Sequence, residues 1–69
     1  MKIQLKNGDT VFLIKDGAIL KTAVINIMPL SRCSDRLVEL RIEGLDKCEV
    51  VIEREVKKLN GEFFVNWKK

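Results

Sequence analysis

The chain of 69 residues has no histidine and no tyrosine, one tryptophan, one proline and two cysteines. Without histidine there is no imidazole base, no serine–histidine pair and no histidine metal ligand. The two cysteines, Cys33 and Cys48, lie far apart and form no Cys-x-x-Cys pair. That pattern is a poor zinc signal and fits free thiols in a reducing compartment. Long apolar runs are missing too: nothing approaches the ~18 residues of a membrane span. The opening Met1-Lys2-Ile3-Gln4-Leu5-Lys6 is too polar for a secretory leader. The expectation is a cytoplasmic protein with no membrane partner. Strong charge of one sign is also absent, since 13 basic groups stand against 10 acidic ones for a net +3. A dedicated nucleic-acid binder usually carries a heavier basic bias.

What is present is a globular composition, 46% apolar and 33% charged, which argues against disorder. A chain of this length is expected to form one domain over residues 1–69. It buries only about 60% of its unfolded surface, so its stability margin is small. The charges are unevenly spread. Residues 1–28 and 54–69 are basic in balance, whereas 29–53 are acidic in balance. A basic surface would therefore be assembled from the two ends of the chain.

Turn chemistry organises the rest. Asn7-Gly8, Asp16-Gly17 and Asn60-Gly61 are strong hairpin signals, because both central residues of a type I′ turn need positive φ. Glu43-Gly44-Leu45-Asp46 reads as a longer turn, and residues 28–35 as an irregular loop. These divide the chain into six expected strands, roughly 1–6, 9–15, 18–28, 36–43, 47–58 and 62–68. A two-residue turn at Asp16-Gly17 sets Ile14 opposite Ile19 and Leu13 opposite Leu20. The same turn at Asn60-Gly61 sets Val56 opposite Val65. Alternation then assigns Val38, Leu40 and Ile42 to the core, together with Cys48, Val50, Ile52, Val56, Phe63, Val65 and Trp67. The expected architecture is all-β, a small antiparallel barrel or roll of five to six strands.

The N-terminal half is ambiguous because both faces of its strands are apolar. Ile3, Leu5, Phe12, Ile14, Ile19, Ala23, Ile25 and Ile27 form one face; Val11, Leu13, Leu20 and Val24 form the other, beside Lys2, Gln4 and Lys6. A sheet wetted on one side should have one polar face. The pattern of an apolar pair beside a polar strand reads as an interface with a charged rim. Val11, Leu13, Leu20 and Val24 are therefore the expected protein interface, covered by a protein partner or by a second copy in a homodimer.

Gly8-Asp9-Thr10-Val11-Phe12-Leu13-Ile14, followed by Asp16-Gly17 and Val24, resembles the opening of small SH3-like barrels, including the KOW type. There a Gly-Asp-x-Val strand leads into a turn and a second apolar strand. The likeness covers about the first third of the chain. Lys21-Thr22-Ala23 stands where the KOW pattern has its glycine. What the resemblance implies is a fold, an SH3-like small barrel, and a fold does not determine function.

The residues offer little for catalysis or metal binding. Cys33 between Arg32 and Arg36 has the cations that lower a thiol pKa, but no base beside it. Cys33 and Cys48 with Asp35 or Asp46 make a weak metal set, and Glu53 and Glu55 read as a solvated face. No catalytic residue, cofactor or small-molecule substrate is expected. The alternative to protein binding is nucleic-acid binding through Arg54, Lys57, Lys58, Phe64, Lys68 and Lys69, where cations interleave with aromatics. Cations hold phosphates while rings stack on bases.

Overall fold

A computed structural model describes residues 3–29 and 35–67. Six strands follow in order: β1 (Thr10–Lys15), β2 (Ala18–Pro29), β3 (Arg36–Ile42), β4 (Cys48–Ile52), β5 (Lys57–Leu59) and β6 (Glu62–Asn66). A 3-10 turn over Glu53–Glu55 separates β4 from β5. The strands form one sheet in the order β4-β3-β2-β1-β6-β5. The all-β expectation holds. The sheet is not a closed barrel, however, and it is not wholly antiparallel, because β1 and β6 run parallel.

Two hairpins form as their turn residues dictate. Asp16 and Asn60 both sit at φ 51°, each followed by a glycine at φ 80°, as type I′ turns require. Ile14 faces Ile19 and Leu13 faces Leu20. In the second hairpin Lys57 faces Phe64 and Leu59 faces Glu62. The third Asn-Gly does something else. The Asp9 N–H donates to the Lys6 carbonyl at 3.0 Å, closing a turn in which only Gly8 has positive φ. Residues 3–6 form no strand beside β1.

That change moves the core. Leu5 is buried and its N–H donates to Glu53 Oε2 at 2.7 Å. The polar residues beside Leu5 therefore never share a sheet face with β1 and β2, and the reason for turning Val11, Leu13 and Val24 outward disappears. All three are essentially inaccessible within the chain's own core, at 0, 0 and 2% exposure. They pack with Val38, Leu40, Ile42, Val51, Val56 and Val65. Leu20 is half-buried against the same cluster. The interface expected on these four residues is thus corrected: the chain itself covers Val11, Leu13 and Val24 fully and Leu20 in part. Thr22, on that face, is buried as well, and its hydroxyl donates to the Val11 carbonyl at 2.7 Å. A buried hydroxyl needs such a partner.

A second parity change occurs at the 3-10 turn. In one continuous strand Val51 and Val56, five positions apart, would point to opposite faces. The turn at Glu53–Glu55 brings both inward. Val51 faces Val38 across the β3–β4 ladder. Cys48 and Val50, expected inside, are exposed, and Ile52 is half-buried. In β2 the register slips between Val24 and Asn26, so Ile25 is an extra, exposed residue. A bulge of this kind bends a strand and increases its twist. Past the bulge β2 continues along β3 as far as Pro29, which faces Arg36.

Candidate binding surface on the outer face of the sheet

With Val11 and Leu13 inside, strand alternation turns Phe12 and Ile14 outward. The register then assembles a row across four strands. Lys21 faces Phe12, Phe12 lies beside Phe64, and Phe64 faces Lys57. The two rings stack with centroids 5.4 Å apart and planes inclined by 28°. The next row holds Ile19, Ile14 and Asn66. Leu59 closes the surface at the β5 edge, facing Glu62.

The exposures decide what this surface is. Ile19 is 62% and Leu59 58% accessible, while Phe12, Ile14 and Phe64 are half-buried. A shallow depression of about 290 Å³ lies among Ile14, Ile19, Leu59 and Phe64, lined also by Lys57, Glu55 and Asn66. Its lining combines apolar side chains with a cation, a carboxylate and an amide. Lys21 pairs with Glu43 at 3.6 Å, with both side chains more than half exposed. Such a pair contributes little and leaves the ammonium available.

The residues expected to bind nucleic acid are divided by the fold. Lys57 and Phe64 meet on the outer face. Lys58 lies on the core side of the β5 edge, its ammonium 5.7 Å from the Phe63 ring centroid. Arg54 is exposed on the 3-10 turn and contacts Asp35 at 3.3 Å. Lys68 and Lys69 lie outside the described residues, as does Cys33. Phe12, Ile14, Ile19 and Leu59 were not among the expected site residues. The Phe12–Lys21 facing pair follows from the Asp16-Gly17 turn alone, whereas the Phe12–Phe64 stack depends on the parallel β1–β6 pairing, which no local signal announces.

Two polar clusters elsewhere hold the fold. Arg36 donates from Nε to Glu53 Oε1 at 2.9 Å, from Nη2 to Glu53 Oε2 at 2.5 Å, and from Nη2 to the Leu5 carbonyl at 3.1 Å. The hydrogen bonds to Glu53, reinforced by its charge, outweigh desolvation and raise the Arg36 pKa above its ordinary value. At the other end, Trp67 Nε1–H donates to Glu49 Oε2 at 2.7 Å, and Lys15 Nζ lies 3.5 Å from Glu49 Oε1 and 4.3 Å from the indole centroid. Among the described residues no buried side-chain polar atom lacks a partner, and no group of acidic and thiol side chains could hold a metal ion. No helix among them is long and apolar enough to cross a membrane.

No family model, no curated protein and no solved structure matches the chain.

Proposed function

We propose that this protein is a non-catalytic cytoplasmic binding module that takes a protein partner on the outer face of β1, β2, β5 and β6. The observation that carries the reading is the exposure of Ile19 and Leu59 around the depression beside Phe64. On a wetted sheet face those positions should be polar. Contiguous apolar exposure rimmed by charge is the make-up of a contact site. Full burial of a leucine or isoleucine side chain is worth roughly 1.5–3 kcal/mol, so two such residues provide anchors for an apolar side chain of the partner. The Gly8-Asp9-Thr10-Val11 opening and the all-β order of six strands also support a distant kinship with SH3-like small barrels.

Selection from a displayed peptide library tests this, with the isotope-labelled chain used to map each selected peptide by NMR. Peptides with an apolar anchor are expected to shift Ile14, Ile19, Leu59 and Phe64, and to lose binding to the Ile19→Lys variant. Selected peptides that map to another face, or that bind Ile19→Lys unchanged, would refute it.

A second reading rests on the Lys21–Phe12–Phe64–Lys57 row. Stacked rings flanked by cations suit single-stranded nucleic acid, where one stacked base is worth about 1–3 kcal/mol. Anisotropy of a labelled oligonucleotide decides it. Binding that weakens with salt and is lost in both Phe64→Ala and Lys57→Glu supports this reading, and no binding at low salt excludes it.

A further inference from the structure

The two edges of the sheet differ in how they are guarded. Natural edge strands are kept from pairing by shortness and by lysine. β5 has both protections, with three residues of which two are Lys57 and Lys58. β4 has neither. Its Cys48-Glu49-Val50-Val51-Ile52 is five residues long, rich in β-branched side chains, and contains no lysine or proline. Among the described residues nothing pairs with its outer side. Val50 is 49% accessible and Cys48 is exposed there.

The backbone direction can be assigned. Ile42 N–H donates to the Lys47 carbonyl at 3.0 Å. Hydrogen-bonding groups alternate in direction along an antiparallel strand. Lys47, Glu49 and Val51 therefore address β3, while Cys48, Val50 and Ile52 direct their N–H and C=O groups outward. We propose that these outward groups are filled by β4 of a second copy of this chain, running antiparallel with the two-fold axis at Val50.

This register satisfies both copies at once. Val50 meets Val50 of the second copy, and Cys48 meets its Ile52, so outward groups face outward groups in every pair. Each such pair exchanges two N–H···O bonds. The charges agree as well. Glu49 faces Val51, so no like charges oppose each other along the strand. The β5 edge gives the reverse result, because a two-fold axis there sets Lys58 against Lys58. On the outer face the joined strands also extend an apolar stripe, since Ile52 faces Leu37 and Leu37 faces Met28. The result is a continuous sheet across two copies, with the outer surface of β1, β2, β5 and β6 displayed twice. The interface does not depend on what that surface binds.

Light scattering on the full chain, with Cys33→Ser to leave one thiol, is the first measurement. A dimer in the micromolar range is expected, and Val50→Lys should give a monomer with an unchanged circular dichroism spectrum. Adding Ile52→Cys should yield an intermolecular disulfide to Cys48 of the second copy on oxidation, seen as a dimer on a non-reducing gel. Amide exchange of the unmutated chain gives a readout that needs no variant: the amides of Cys48, Val50 and Ile52 should be protected at high concentration and lose protection on dilution. A chain that stays monomeric into the millimolar range would overturn the proposal. So would a dimer that survives Val50→Lys, or one in which those three amides exchange freely.

Discussion

Arg36 and Glu53 form a two-point ion pair that also clasps both backbone groups of Leu5: the carboxylate accepts the Leu5 N–H and the guanidinium donates to the Leu5 carbonyl. One side-chain pair thereby ties the N-terminal segment to β3 and to the 3-10 turn. Glu53 is nearly buried, so its removal leaves a guanidinium and an amide without their acceptor. Breaking a buried pair from one side costs about 3–5 kcal/mol. Arg36 keeps some solvent contact, which places Glu53→Ala near the lower end, at about 3 kcal/mol. Urea unfolding should show a lower midpoint. Because hydrogen bonding to ionised Glu53 raises the Arg36 pKa, the stabilisation carried by the arginine proton is fully present below the ordinary arginine pKa while Glu53 stays ionised, and is lost on the alkaline side as pH rises through the elevated value. Arg36 titration should therefore contribute no slope to stability around neutral pH.

Trp67 joins the C-terminal end of β6 to β4 through its bond to Glu49. It is half-buried against the core rather than enclosed by it. A fully buried tryptophan costs about 3–5 kcal/mol on truncation to alanine. Partial exposure lowers the expectation for Trp67→Ala to about 2 kcal/mol. Trp67→Phe keeps most of the packing and loses the N–H donor, so it should cost about 1 kcal/mol. Thermal melting of both variants separates the two contributions. Equal losses would mean that the hydrogen bond carries the whole effect.

Two of the three expected hairpins, at Asp16-Gly17 and Asn60-Gly61, and their registers were legible because type I′ turns are specified by two adjacent residues; Asn7-Gly8 has the same signal but no strand before it to pair with β1. The inward face of β3 was legible too, since Val38, Leu40 and Ile42 alternate with charged neighbours. The inward faces of β1 and β4 were not. In β1 both sets of side chains are apolar, so alternation gives no sign. The deciding contacts are Val11 beside Phe63 and Leu13 beside Val65, made with a strand about fifty positions away. In β4 the sign was lost at Glu53-Arg54-Glu55, a stretch whose composition suits a strand as well as a turn. The candidate surface inherits these errors. Once Val11 and Leu13 go inward, Phe12 and Ile14 must come outward, and a one-residue change of parity exchanges an entire interface for a core.

The type I′ turns give a prediction free of packing effects. Gly17 and Gly61 both lie at φ 80°, and a methyl group added at either would meet nothing within 4 Å. Any loss in Gly17→Ala or Gly61→Ala is therefore conformational. The left-handed region costs a non-glycine residue roughly 1–2 kcal/mol. Each variant should lose about that much, with an unchanged denaturant slope. Asn60→Ala, at φ 51°, should lose less than either glycine variant, because asparagine is itself a non-glycine residue that only partly escapes this cost.

The β1–β2 hairpin provides the sharpest test of which face is inside. Leu13 has no accessible surface, whereas its pairing partner Leu20 is half-buried at the margin of the core. Leu13→Ala should cost about 2–5 kcal/mol, which is most of the stability expected of so small a domain. The double variant Leu13→Asp with Leu20→Lys places a charge in that core and should not fold. Ile19, two positions from the hairpin glycine and largely exposed, behaves oppositely: Ile19→Lys should stay within about 0.5 kcal/mol of the parent. Circular dichroism and thermal melting of the three proteins suffice. A folded Leu13→Asp/Leu20→Lys protein alongside an unfolded Ile19→Lys protein would reverse the faces of β1 and return Val11, Leu13, Leu20 and Val24 to the surface.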